Sequence, residues 1–380
     1  MEYKYTHFIP QNTAPKGTKS IGVYDGSGKR ITTISLGNLS PIKKEKLYSF
    51  GLVSDIHITH NPNVNWYAAS KFDNALTYFE NKGCVACVVC GDFTNEGFYP
   101  SIDGTVTLNE TEFSNYKEIC NKHSIPVYEL CGNHESYNGK AISNSLDLLE
   151  TYTGKKAISY TVSSMETTED GRNHQLLDIG NDLFILMGQS ESSKPMSNAD
   201  LDWLVNVLEN NKDKRCFVFM HSFIDENWNT NILGDKEAED TDGFIISDSG
   251  NACDVRPNAI VGWWEDYDQP TLNKFLTALS SNKNVVLFHG HSHMKLENQE
   301  FDKSANYTNK NGFKSVHVPS LSYPRDIDFV NDKSVDDRTA SEGYIVDVYD
   351  DCIVLNGRNF INDKWCPLGV YKIDTVQGIS

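Results

Sequence analysis

From Leu47 onward, short apolar runs alternate with segments whose apolar residues recur three and four positions apart. Tyr48–Val53, Cys84–Cys90 and Val127–Cys131 read as strands, and residues 65–81 and 110–123 between them read as helices. This βαβαβ order predicts a largely parallel sheet, in which the loops at the carboxyl ends of the strands usually carry the site. The second half is strand-rich: 157–162, 175–179, 183–187, 216–220, 285–288, 315–318, 343–349 and 352–355, with helices at 199–210 and 271–279. So many strands require a second sheet. The predicted fold class is therefore α/β, a four-layer αββα sandwich of two mixed β-sheets flanked by helices, with strands 343–372 completing the second sheet.

Upstream, two β-patterned runs at 21–24 and 30–34 flank Asp25–Gly26–Ser27–Gly28, a strand–turn–strand signal. They predict a small N-terminal β appendage within residues 1–46, set before a domain over 47–380. The stretch at about 225–270 is the longest with poor patterning. It is acidic at Asp235–Asp242, then aromatic at Trp263, Trp264 and Tyr267, and reads as an insertion of the kind that forms lids or binding loops.

Composition narrows the partners. A net charge of −18 over 380 residues argues against long nucleic acid as substrate, which needs a basic surface. No run of about 18 or more apolar residues is present, so no membrane span is expected, and Met1–Ser20 lacks the charged-then-apolar build of a signal peptide. The nine cysteines are an odd number, and those within apolar runs read as reduced core residues of a cytoplasmic protein. Cys84, Cys87 and Cys90 repeat every three residues, but strand alternation sends Cys87 to the opposite face, which argues against zinc.

Several strands end in polar clusters: Ser54–Asp55–Ile56–His57, Gly91–Asp92–Phe93–Thr94–Asn95, Gly132–Asn133–His134–Glu135, His221, and His289–Gly290–His291–Ser292–His293. In extended chain, Asp55 and His57 point to one side and can clamp one ion, as can His291 and His293. Asp92, after a glycine that permits a tight turn, is placed to bridge two ions. Mixed oxygen and imidazole donors suit Mn, Fe, Zn or Ni over calcium. A shared carboxylate holds two ions about 3.5–4 Å apart, where they acidify a trapped water and stabilise an in-line displacement at phosphorus.

In this order, Asp55-x-His57, Gly91–Asp92, Gly132–Asn133–His134–Glu135, His221 and Gly290–His291-x-His293 resemble the signature of the calcineurin-like metallophosphoesterases over residues 51–293. The resemblance implies a first metal held by Asp55, His57, Asp92 and His293, and a second held by Asp92, Asn133, His221 and His291. It implies that His134 contacts the phosphate and protonates or stabilises the leaving alkoxide. Asn95 stands where many relatives carry a carboxylate or an Asn. The expected function is hydrolysis of a small phosphoester, a phosphodiester favoured over a phosphomonoester, with two divalent metal ions as cofactors. The alternative is a non-catalytic metal-binding module in a larger assembly.

Most candidate substrate contacts lie outside these motifs. Arg325 could bind a phosphate bidentately or form a surface ion pair. Trp263 and Trp264, with Trp228 and Tyr267, could stack on a base or sugar or pack the insertion onto the domain. Asn95 is a further candidate. His289 reads as a hydrogen-bonded core histidine and His60 as a solvated loop residue.

Overall fold

The computed structural model describes residues 20–24, 30–35, 45–60, 67–96, 98–100, 106–108, 110–135, 162–167, 173–188, 198–222, 244–246, 252–254, 269–297, 307–308, 313–328 and 333–375. The N-terminal runs form an antiparallel hairpin, β1 (Ser20–Tyr24) with β2 (Arg30–Ser35). The domain then opens with β3 (Tyr48–Val53), helix α1 (Ala68–Asn81) and β4 (Cys87–Val89). The short pair β5 (Phe98–Pro100) and β6 (Val106–Leu108) leads to helix α2 (Glu110–Asn121) and β7 (Val127–Glu129). As expected, β3, β4 and β7 run parallel.

The second half supplies β8 (Val162–Thr167), β9 (Asn173–Ile179), β10 (Asp182–Met187), helix α3 (Asn198–Asn210) and β11 (Cys216–Met220). Next come the antiparallel pair β12 (Phe244–Ile246) and β13 (Ala252–Asp254), helix α4 (Gln269–Ser281), β14 (Val285–His289), β15 (Tyr307–Thr308) and β16 (Lys314–His317). Seven of these strands form one mixed sheet in the order β15-β16-β14-β11-β10-β9-β8. A hairpin of β17 (Arg325–Asp328) and β18 (Lys333–Asp336) follows, and then β19 (Glu342–Val348), β20 (Cys352–Asn359) and β21 (Lys364–Asp374).

These last strands correct one expectation. They join the first sheet, whose order is β21-β20-β19-β3-β4-β7, with Tyr344 opposite Leu52 and Val346 opposite Phe50. The parallel winding from β3 to β7 runs one way and leaves the other edge of β3 open; an antiparallel meander covers it. Because β19 is buried on both faces, its apolar run reads the same for either sheet.

Three apolar layers account for the sandwich. Between the sheets, Phe50, Leu52, Phe184, Phe217, Phe219, Phe288 and Val346 form the central core. On the outer face of the first sheet, Phe72, Leu76 and Phe79 of α1 and Phe113 and Tyr116 of α2 pack on Val53, Val89 and Val127. On the outer face of the second, Leu201, Leu204 and Leu208 of α3 and Phe275 and Leu279 of α4 pack on Ile185, Val218 and Leu287. The predicted four-layer αββα order is the observed one. Cys84 and Cys87 share the α1/α2 layer while Cys90 faces the central core, because regular alternation starts only at Ala86. All three cysteines are buried, and none of them forms a disulfide.

No helix among the described residues is long and apolar enough to cross a membrane.

Candidate active site

The carboxyl ends of β3, β4, β7, β11, β14 and β16 converge on one rim, and the loops leaving them are laced by main-chain bonds. The Asp55 N–H donates to Gly91 O (3.1 Å), His57 N–H to Asp92 O (2.9 Å) and Gly290 N–H to His221 O (3.0 Å). A bridge between Ser54 and Ser320 links β3 to the chain after β16. Strand alternation does not aim these side chains. Asp55 (φ 52°), His57 (φ 53°), Asp92 (φ 50°), His291 (φ 73°) and His293 (φ 56°) are all left-handed, a conformation that costs an L-residue about 1–2 kcal/mol. The turn expected at Gly91 is present, at φ 87°.

Two donor groups meet at Asp92. Asp55, His57, Asp92 and His293 present ligand atoms within 4.8 Å of one another, and so do Asp92, His221 and His291. Asn133 joins the second group, its Oδ1 lying 2.9 Å from His221 Nε2 and 3.0 Å from His291 Nδ1. Strand alternation alone would let His291 and His293 share one ion, whereas the resemblance implies one for each metal; in the structure they lie in separate groups, His293 Nε2 3.0 Å from Asp55 Oδ1 and His291 Nδ1 3.0 Å from Asn133 Oδ1.

The electrostatics fit a cation. His57 Nε2 and His293 Nε2 approach to 3.1 Å, and burial holds both rings below the usual imidazole range, so convergent neutral lone pairs face each other. Burial also takes His291 down to about 3. Burial opposes the charge on Asp55 and Asp92, yet the facing histidines keep both carboxyls below the usual carboxylate range. His221 is the exception: against burial, Asp92 and Asp55 push it up to about 10. Buried carboxylates with neutral imidazoles form the donor set of a transition-metal or zinc site.

His134 is half-buried at the rim, with Nε2 3.9 Å from Asp92 Oδ2 and its ring edge-on to His57. Its main-chain N–H donates to Asp92 Oδ1 (2.9 Å), and its Nδ1 bonds the carbonyl of Asn95. Asn95 thus serves through its backbone. Arg325 also reaches the rim: its N–H donates to His293 O (2.7 Å), its Nε pairs with Asp336 Oδ1 (2.9 Å) and its guanidinium lies over Tyr323. Trp263 and Trp264, with Trp228 and Tyr267, lie outside the described residues. His289 is buried as expected, and His60 is exposed.

Three contributors carry no role in the sequence reading. Glu135 accepts from Asp92 N–H (3.0 Å), Gly132 N–H (2.8 Å), Thr94 N–H (2.7 Å) and Thr94 Oγ1 (2.7 Å), tying two of the loops together. Burial and the charge of Asp92 push Glu135 up to about 7 against those donors. Tyr323 packs its ring on both His293 and His57, at centroid distances of 4.4 and 5.0 Å. Glu112 braces the rim from α2; its signal in the sequence is a carboxylate set in the apolar stripe beside Phe113, Tyr116 and Ile119.

The sequence model described as calcineurin-like phosphoesterase matches residues 48–330. No curated protein sequence matches the chain. Among solved structures, a dimetal phosphatase from Danio rerio is similar with TM-score 0.50 at 13% identity, over 87% of this chain and 100% of that one. The purple acid phosphatase PPD1 from yellow lupin gives TM-score 0.50 at 11% identity, over 87% of this chain and 54% of that one. At such identities the likeness is one of fold.

Proposed function

This chain belongs to the calcineurin-like phosphoesterase family, and on that premise we propose that it hydrolyses a small phosphoester, a diester in preference to a monoester. The observation that carries the reading is the pair of donor groups sharing Asp92, with His134 beside them at the rim. Asp55, His57, Asp92 and His293 would hold one divalent ion, and Asp92, Asn133, His221 and His291 a second. When bound, such ions lower the pKa of water and neutralise phosphate charge.

The chain's own groups do the rest. His134, with Nδ1–H committed to the Asn95 carbonyl, presents Nε2 to the leaving oxygen and, as the imidazolium, donates its second proton there. Glu135 fixes the Asp92 and Gly132 loops so that the shared carboxylate does not swing. Tyr323 walls off one side of the first group from water. Arg325 is ion-paired with Asp336 (2.9 Å), so the pair brings little net positive charge to the rim, which suits a singly charged diester better than a dianionic monoester. Substrate choice falls to the insertion, whose described strand β12 lies next to β18, the partner of the strand that starts at Arg325.

The test is elemental analysis of purified protein beside hydrolysis of bis-p-nitrophenyl phosphate and p-nitrophenyl phosphate with added Mn²⁺. About two metals per chain with faster diester cleavage is the expected result. Faster monoester cleavage would overturn the diester preference, and absence of both metal and turnover would overturn the hydrolytic reading.

A further inference from the structure

Helix α2 runs beneath the rim, and Glu112 on it is buried to 0% exposure. One carboxylate oxygen accepts from Glu96 N–H (2.7 Å) and Asn95 N–H (3.0 Å), the other from His60 N–H (3.2 Å). Three residues on, and therefore on the same helix face, Asn115 Nδ2 donates to Thr59 O (3.0 Å). The helix thus grips the loop after β3 and the loop after β4 at once.

The Glu96 N–H belongs to the same peptide plane as the Asn95 carbonyl, and that carbonyl is the one bonded by His134 Nδ1. In a trans peptide the N–H and C=O point in opposite directions. A buried carboxylate therefore pulls on one end of this amide while the imidazole bonds the other, and hydrogen bonds in such chains polarise one another. Burial pushes the Glu112 carboxyl up to about 7, and the three N–H bonds pull the other way by favouring the anion. In a Ser-His-Asp triad the carboxylate touches the imidazole directly. Here a peptide stands between them, which lets the charge sit in the protein while His134 stays at the rim.

We propose that Glu112 is a positioning residue for His134, acting through the Asn95–Glu96 peptide to keep Nδ1–H on the Asn95 carbonyl, so that the proton the imidazolium gives up is the one on Nε2, turned toward the leaving group, and the Nδ1–H tautomer is left behind. This rests on the hydrolytic reading above. It assigns a use to a buried acid that lies outside every motif of the strand ends. A brace that merely held the loops would serve both donor groups equally; a device for His134 serves only the step that protonates the leaving oxygen.

That difference is measurable. Diesters with a p-nitrophenolate leaving group need little protonation, whereas those with an alkyl alkoxide depend on it. In Glu112→Ala, kcat for the alkyl ester should fall by about 10²-fold, the scale of a lost general acid, and for the p-nitrophenyl ester by under about tenfold. His134→Ala should show the same split. Glu112→Gln keeps an acceptor oxygen but no charge, and should lie between, at about tenfold for the alkyl ester. Metal content should match the parent in all three. Ring-¹⁵N signals of His134 should report the Nδ1–H tautomer in the parent and a mixture in the Glu112 variants. If Glu112→Ala does not fold, the Gln variant carries both readouts. Equal loss on both esters together with loss of metal would overturn the proposal, as would an unchanged ester ratio with an unchanged tautomer. A parent that cleaves neither ester would sink the hydrolytic reading, while the ring signals would still decide the link from Glu112 to His134.

Discussion

Gly132→Ala perturbs the site by a single methyl group. A Cβ at Gly132 would lie 2.2 Å from Asp92 Oδ1, 2.7 Å from the Asp92 main-chain nitrogen and 2.9 Å from His221 Cδ2, against an ordinary contact of about 3.5–4.0 Å. The main-chain nitrogen cannot step aside without opening the loop after β4. Turning the carboxylate away instead breaks the bond that Asp92 Oδ1 accepts from His134 N–H. Overpacking of this kind costs about 1–3 kcal/mol and an orphaned buried N–H about 1–3 kcal/mol, so a total of about 2–6 kcal/mol is expected. Because displacing a reacting group by about 1 Å can cost 10²-fold in rate, turnover should fall by at least that factor, with loss of metal. The assay is urea unfolding of chelator-treated protein, run beside elemental analysis and diester turnover. Gly180→Ala is the control: φ is +63° and the nearest atom would be Tyr48 Cε1 at 3.5 Å, so it should cost about 1–2 kcal/mol with turnover intact. A Gly132→Ala protein within about 0.5 kcal/mol of the parent, the range of an inconsequential surface change, and carrying its full metal would refute the reasoning.

Asp92→Asn removes the charge common to both donor groups and should abolish turnover with loss of bound metal, read by elemental analysis; full activity in that variant would exclude a shared carboxylate. Burial pushes Glu342 up from 4.5 to about 8, so the folded chain keeps a proton that the unfolded chain releases. By linkage, this group's contribution is intact below about pH 4.5 and is lost as pH rises to about 8. Glu342→Gln should flatten that decline in unfolding free energy, and an unchanged slope would exclude Glu342 as its source. Saturating metal should stabilise the fold by about 2.7 kcal/mol for a site occupied at 100 times its Kd, measured as the rise in Tm over chelated protein. An unchanged Tm would exclude tight binding to the folded state.

Much of the site was legible because strand-end chemistry is local in sequence. Asp92 follows a glycine, His134 sits in a tetrad of polar residues, and a parallel sheet gathers such ends on one rim. The aim of the side chains was not legible: two residues of spacing between Asp55 and His57 suggests extended chain, whereas the structure uses left-handed turns. For the same reason strand alternation makes His291 and His293 one clamp, whereas the ligand sets implied by the family resemblance put them on different ions, and the structure separates them. The sheet joined by β19 depends on which distant edge is open, and the apolar run carries no record of that. Glu112 and Tyr323 escaped because their partners are a main-chain loop and two rings brought together only by folding. The bonds they make belong to no pattern of residue types.

Among the described residues, five of the seven non-glycine residues with positive φ are Asp55, His57, Asp92, His291 and His293. Glycine relieves such strain, but at Asp92 it would orphan the His134 N–H and at Asp55 the His291 N–H, so it is at the three histidines, in chelated protein, that substitution should make the chain harder to unfold while emptying the centre. A library of random variants sorted only for heat resistance would then enrich inactive proteins at these positions, and the enrichment would outline the site without any substrate in hand. Selection for activity must work against that drift in every generation, because most substitutions elsewhere are destabilising and compensation is always in demand.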